Sequence, residues 1–66
     1  MNKLRKSHYK VNDPVILTHN CKGYIEGKFF VVIDPYKYGK ENEIKLHDNE
    51  LNKEVQIPSK YLDDIK

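Results

Sequence analysis

Apolar and polar residues alternate in several short segments of this chain, and a period of two is typical of half-buried β-strands. Val15 and Leu17 would share one face of a first strand. The segments Glu43 to His47 and Lys53 to Ile57 alternate in the same way. Because no segment carries apolar residues at the helical spacing of three and four, the pattern predicts an all-β protein.

The strongest strand signal runs from Lys28 to Ile33. Every residue after Lys28 is apolar and favours β-structure, so we expect both faces of this strand to be covered. One strongly bent strand can serve two sheets of a small barrel, which would explain such a run. Asp34-Pro35 is expected to end the strand.

Turn-forming residues separate the predicted strands. Asn12-Asp13-Pro14 interrupts the first strand, and the glycine-bearing segment His19 to Gly27 predicts an irregular loop. Gly39 marks the tip of the loop after the strong strand, and Asp48 to Asn52 predicts a hairpin connection longer than two residues. The spacing therefore predicts four or five short antiparallel strands.

The end of the chain is the most informative part. Val55 and Ile57 alternate as in a strand, and Pro58 then removes the next backbone donor. The segment Ser59-Lys60-Tyr61 has the length of one 3₁₀ turn, after which Leu62 brings an apolar side chain back to the core.

This segment, Ile57-Pro-Ser-Lys-Tyr-Leu62, resembles the closing segment of SH3-like barrels. The resemblance implies a small barrel of about five antiparallel strands with a 3₁₀ turn before the last one. It covers residues 9–66 as one domain, preceded by a basic, flexible arm at residues 1–8. A weaker similarity links Val11 to Phe29, with Gly23 and Gly27, to the KOW motif, in which two strands and a glycine-bearing loop contact RNA or protein.

Size and charge restrict the function. A chain of 66 residues forms one domain and has little room for a deep catalytic pocket. The formal charge of +2 divides into +4 for residues 1–10 and −2 for residues 11–66, so the body is mildly acidic. One cysteine and no long apolar stretch predict a cytoplasmic protein without a membrane span. Abundant Asn, Lys, Ile and Tyr suggest an AT-rich bacterial or phage genome.

Tyrosines on the predicted loops are the candidate protein anchors. Tyr36 and Tyr38 would point the same way if the segment is extended, and Tyr24 lies on the first loop. Pro58 and Tyr61 match two positions of the groove in which SH3 domains bind polyproline ligands. The chain has no tryptophan and its first loop has a single acid, which argues against a proline-rich ligand.

The alternative is nucleic-acid binding, in which lysines hold phosphates and tyrosines stack on bases. Its candidate residues are basic and lie in the arm and the loops: Lys3, Arg5, Lys6, Lys10, Lys22, Lys37 and Lys40.

Catalysis and metal binding find little support in the sequence. His19 and Cys21 are close along the chain, but a nucleophilic thiol also needs an oriented base and a pocket. The spaced Cys and His pairs of structural zinc sites are absent. We therefore predict no enzyme activity, cofactor, metal or small-molecule substrate. The sequence favours a protein-interaction module, monomeric or weakly dimeric. We interpret it as an accessory or regulatory factor of a phage or mobile element.

Overall fold

The computed structural model describes residues 5–65, which form an antiparallel β-sheet. The prediction of an all-β fold with a 3₁₀ turn before the last strand is confirmed. The strands are β1 (Arg5–Lys6), β2 (Pro14–Leu17), β3 (Phe29–Tyr38), β4 (Glu43–Asp48), β5 (Lys53–Pro58) and β6 (Leu62–Asp64). The 3₁₀ turn, Ser59–Tyr61, lies between β5 and β6.

The strand order is β5-β4-β3-β2-β6, and β1 pairs with β3 outside this path. The sheet is open, since β5 and β6 are its two ends and no pairing joins them within residues 5–65. Closure of the hydrogen-bonded barrel, which we expected, is therefore not found. Only the three residues of the 3₁₀ turn separate β5 from β6, so the sheet must curl until its ends lie near each other. The curled sheet encloses the core without a continuous ladder.

Strand β3 differs from its prediction in length. It continues through Asp34 and Pro35 to Tyr38, with irregularities in its pairing to β4 after Val32 and after Asp34. A proline is tolerated in a strand at such irregular positions, because no ladder donor is needed there. The Pro35 carbonyl accepts a hydrogen bond from the Ser7 amide at 2.9 Å. Tyr36 and Tyr38 therefore lie on a strand, not on a loop.

The two faces of β3 are also unequal, against our expectation that both would be covered. Phe30 and Val32 point inward and are each 1% exposed, whereas Phe29 is 59% and Ile33 38% exposed. A single curled layer has its core on one side only, so the other side of β3 faces outward.

The N-terminal part of the described chain belongs to the sheet. Arg5 pairs with Lys37 and Lys6 with Tyr36, and Ser7 is buried. The sheet thus begins four residues before the predicted boundary at Tyr9. The first four residues of the predicted arm, including Lys3, lie outside the described residues.

The core lies on the inner side of the curled sheet. It consists of apolar side chains from every strand except β1 and from the segment before β2: Tyr9, Val15, Leu17, Phe30, Val32, Ile44, Leu46, Ile57 and Leu62. Residues 5–65 contain no helix of the length and apolarity needed to cross a membrane.

Candidate functional site

The outward side chains of β3 form an apolar strip, which we call the outer strip: Phe29, Val31, Ile33, Tyr36 and Tyr38. Neighbouring strands extend it, because Ile16 pairs with Phe29 and Pro14 with Val31. Scattered exposed apolar residues are normal, but several on one strand face are a feature of binding surfaces. The outer strip is therefore the first candidate for a contact with another molecule.

One end of the outer strip opens into a groove of about 870 Å³, which we call the tyrosine groove. Its lining is mostly apolar, with two carboxylates and one ammonium: Val11, Ile33, Asp34, Pro35, Tyr36, Tyr38, Lys45 and Glu54. Val11 is 57% and Tyr36 41% exposed, so apolar surface remains open to solvent. The structure thus brings Tyr36 and Tyr38 together, as predicted for an extended segment, although they lie on a strand and not on a loop.

Asp34 fixes the geometry of this groove. Its carboxylate accepts a hydrogen bond from the Tyr38 hydroxyl at 2.5 Å and one from the Tyr36 amide at 2.9 Å. These two bonds, the first above all, outweigh burial and hold the pKa of Asp34 below its ordinary value. The Lys45 ammonium lies 4.8 Å from the centre of the Tyr38 ring. Asp34 is therefore ionised at neutral pH and holds the Tyr38 hydroxyl in place.

Sequence reasoning missed Asp34 and Lys45. Asp34 was interpreted only as the residue that ends a strand. Its role depends on the irregular pairing, which sets Asp34 opposite Lys45. The local signal that could have indicated this role is the spacing of Asp34, Tyr36 and Tyr38. An aspartate often accepts a hydrogen bond from the amide two residues on, and here the tyrosine four residues on donates to the same carboxylate.

Tyr24, the third predicted tyrosine anchor, lies in a different place. Its ring packs edge-on against Phe30 with centroids 5.1 Å apart, and its hydroxyl donates to the Asp48 carboxylate at 2.8 Å. Asp48 was expected in the hairpin connection, but it is the fully buried last residue of β4. A smaller groove of about 480 Å³ lies here, with the exposed side chains of Ile25 and Leu51 in its lining.

Pro58 and Tyr61 occupy a third region. Pro58 is buried and pairs with Glu43, which in turn pairs with Tyr38 on the other side of β4. Tyr61 is half-buried, and its ring lies 5.1 Å from that of His19. The five predicted protein-binding residues are therefore divided among three regions, and only Tyr36 and Tyr38 share a groove.

The predicted nucleic-acid ligands are also dispersed. Pairing of β1 with β3 brings Arg5, Lys6 and Lys37 to one edge. Lys22 instead forms an ion pair with Glu43 at 3.0 Å and donates to a backbone carbonyl of β5. The other two described residues of the set, Lys10 and Lys40, lie exposed in separate connections.

Near Cys21 the structure shows local hydrogen bonds. The His19 ring bonds to the Thr18 hydroxyl at 3.0 Å, and Cys21 pairs through its backbone with Tyr24. Across residues 5–65, no group of three or more His, Cys, Asp or Glu side chains is arranged to hold a metal ion.

Comparison of the chain with known proteins finds no match among protein-family models, curated proteins or solved structures.

Proposed function

We propose that this protein is a non-enzymatic protein-interaction module and that the tyrosine groove is its contact surface. The observation that supports this is the exposure of Val11, Ile33 and Tyr36 in one groove beside a fixed Asp34–Tyr38 pair. Rigid tyrosines next to apolar surface lose little entropy on binding and are common anchors of protein interfaces. We further propose that the protein is cytoplasmic and that its sheet is a variant of the SH3-like barrel.

The charge of the groove favours a protein over a nucleic acid. Asp34 and Glu54 line it with a single ammonium, that of Lys45. The low pKa of Asp34, set mainly by the Tyr38 hydroxyl, keeps this carboxylate charged at neutral pH. A phosphate backbone next to two carboxylates would be repelled, whereas a mixed peptide surface can be matched to all three charges.

Nucleic-acid binding is the second candidate, and the pairing of β1 with β3 supports it. This pairing brings Arg5 opposite Lys37 and Lys6 opposite Tyr36. Such an edge could contact phosphates while the Tyr36 ring stacks on a base. Binding of this kind would be weak and would fall steeply with salt concentration.

The proposal is tested by selecting binders from a display library of random peptides against the full chain. We expect enriched peptides whose binding shifts the NMR signals of Ile33, Tyr36 and Tyr38. Tyr36→Ala should reduce their affinity at least about ten-fold, the effect of removing an interface anchor. The matched control is Tyr61→Ala, which removes a tyrosine from another region.

Two results would contradict the proposal. Enriched peptides that shift only signals around Ile25 and Leu51 would assign binding to the smaller groove. Salt-sensitive binding of an oligonucleotide that is lost in Arg5→Ala and Lys37→Ala, with no peptide enriched, would favour the second candidate.

A further inference from the structure

The smaller groove contains two aliphatic side chains that are largely open to solvent. Ile25 is 72% and Leu51 61% exposed, and both line this groove of about 480 Å³. Ile25 precedes β3 and Leu51 follows β4, so two connections that are distant in sequence bring these side chains together. Removing both from water on binding would be favourable. The volume of the groove is within the range of ligand sites.

The charges of the smaller groove favour a cationic ligand. Its described lining contains three carboxylates, those of Glu26, Asp48 and Glu50, and one ammonium, that of Lys28. The Lys28 Nζ lies 3.1 Å from Oδ1 of Asp48 and also contacts Glu50. The Lys28 side chain is 17% exposed, whereas that of Glu50 is 79% exposed and Glu26 is exposed as well. The charges that face solvent at this groove are therefore mainly negative.

A tight turn holds one wall of the groove. Cys21 and Tyr24 exchange two backbone hydrogen bonds, of 3.0 and 2.8 Å, around Lys22 and Gly23, whose φ angles are 51° and 83°. A lysine is disfavoured at such a left-handed position. Here the Lys22 ammonium reaches the sheet, where it forms an ion pair with Glu43 at 3.0 Å and donates to a backbone carbonyl of β5. These contacts offset the strain and tie the turn to β4 and β5.

A buried carboxylate joins the two walls. The Tyr24 hydroxyl donates to Asp48 at 2.8 Å, and the Tyr24 ring packs edge-on against Phe30. On the other wall, the amides of Glu50 and Leu51 donate to the same Asp48 carboxylate. The groove is thus held in shape by the fold, and a ligand would lose little free energy in ordering it.

We propose that the smaller groove is a second docking site, which binds a basic segment of a partner protein. An aliphatic side chain of the segment contacts Ile25 and Leu51. Arginine or lysine side chains on either side of it lie next to Glu26 and Glu50. This site is distinct from the tyrosine groove, and the inference does not depend on the tyrosine groove being a contact surface.

The same charges disfavour other occupants. The exposed carboxylates would repel the phosphates of a nucleic acid or of an anionic lipid surface. A second copy, related by a two-fold axis through the groove, would set Glu26 and Glu50 against identical carboxylates. A neutral apolar segment could cover Ile25 and Leu51, but it would desolvate the carboxylates without supplying an opposite charge.

The test is an NMR titration of the full chain with a short, blocked peptide in which arginine and leucine alternate. We expect a dissociation constant of about 0.1 to about 1 mM, the range for a short segment held by one small groove, with shifted signals of Tyr24, Ile25 and Leu51. Two matched peptides carry serine in place of leucine or glutamate in place of arginine. Each should bind at least about ten-fold more weakly, because the first lacks the apolar contact and the second is repelled.

Variants of the chain locate the site. Leu51→Ala should weaken the arginine–leucine peptide about five-fold or more, since it removes an apolar contact. Glu26→Gln should weaken it about two- to five-fold, the scale of an exposed ion pair, with a smaller effect at high salt. The matched controls lie outside both grooves. Ile65→Ala removes another exposed aliphatic side chain and Glu41→Gln another exposed carboxylate, and both should leave the affinity unchanged.

Three results would overturn the proposal. Equal binding of the serine peptide would reduce the site to a diffuse charge attraction. Loss of binding in Val11→Ala, with none in Leu51→Ala, would assign the peptide to the tyrosine groove. Association of the chain with itself that Leu51→Ala abolishes would make a second copy the occupant.

The outcomes also separate this inference from the proposed function. Library peptides that shift only Ile25 and Leu51 would support the second docking site and contradict the tyrosine groove. If the arginine–leucine peptide does not bind, and library peptides shift Ile33 and Tyr36, the second docking site is overturned and the proposed function is supported.

Discussion

The Tyr24 hydroxyl donates a hydrogen bond of 2.8 Å to the carboxylate of Asp48, which is fully buried. Lys28 forms an ion pair with the same carboxylate at 3.1 Å, and it also contacts Glu50. The amides of Glu50 and Leu51 donate to Oδ1 of Asp48, the oxygen that Lys28 contacts, whereas the Tyr24 hydroxyl donates to Oδ2. One carboxylate thus joins the loop before β3 to the turn after β4, two segments that are distant in sequence.

We expect Asp48→Asn to destabilise the fold, because an amide cannot accept all of these bonds and leaves the half-buried Lys28 ammonium without its buried partner. The midpoint of thermal unfolding should fall by roughly 10 °C, the scale for losing a buried network in so small a domain. Circular dichroism measures this midpoint. Glu41→Gln, which removes an exposed ion pair with Lys60, is the control and should leave it nearly unchanged.

The Asp48 carboxylate also determines where we expect the fold to lose stability at acidic pH. Burial would raise the pKa of Asp48, but hydrogen bonds from Tyr24, Leu51, Lys28 and Glu50 outweigh burial and lower this pKa to about 2. A carboxyl with a lowered pKa in the folded state adds stability above its unfolded pKa of about 4. This stability should be lost as the pH falls from about 4 to about 2. Urea unfolding across this range should show a smaller pH dependence in Asp48→Asn than in the wild type.

The buried Tyr9 determines where we expect the fold to lose stability at alkaline pH. Burial, with the nearby carboxylates Asp64, Asp63 and Asp13, raises the pKa of Tyr9 from 10.0 to about 12. Because the folded state favours the neutral phenol, its contribution is complete below pH 10 and is lost as the pH rises from about 10 to about 12. In Tyr9→Phe this part of the decline should disappear. Equal alkaline profiles for the wild type and Tyr9→Phe would contradict the assignment.

Tyr38→Phe should release Asp34 without unfolding the sheet. Loss of the hydroxyl removes the main cause of the lowered pKa of Asp34, which should rise toward its ordinary value. The carboxyl carbon of Asp34, followed by NMR during a pH titration, reports this change. Tyr36→Phe is the matched control, since Tyr36 contacts Asp34 through its backbone amide. Peptides selected for the groove should bind more weakly to Tyr38→Phe.

Leu46 and Leu51 allow a test of whether burial, and not apolarity alone, determines the contribution of a side chain to stability. Leu46 is 0% and Leu51 61% exposed, although both lie near the β4–β5 hairpin. Leu46→Ala should cost about 2–5 kcal/mol of unfolding free energy, the usual range for emptying a core site. Leu51→Ala should stay within about 0.5 kcal/mol of the wild type. Chemical denaturation measures both values, and a large loss in Leu51→Ala would require a contact that the fold does not contain.

Local sequence was sufficient for the class of the fold. Alternation in Glu43 to His47 and Lys53 to Ile57 predicted β4 and β5, because one buried face of a strand imposes a period of two. Pro58 with Ser59 to Tyr61 predicted the 3₁₀ turn, since a proline ends the ladder and three residues allow one turn. The two-residue spacing of Tyr36 and Tyr38 also predicted that both lie on one side of an extended chain.

The tertiary structure decided what those residues do. The outward exposure of Phe29 and Ile33 depends on which side of the curled sheet holds the core, and a run of apolar residues does not encode that side. The junction at Asp48 and the tyrosine fixed by Asp34 depend on long-range pairing and on irregular register, which shift a side chain from one face to the other. Sequence determined the strands whose residues alternate or form an apolar run, whereas the curl and register of the sheet determined which side chains meet and which remain exposed.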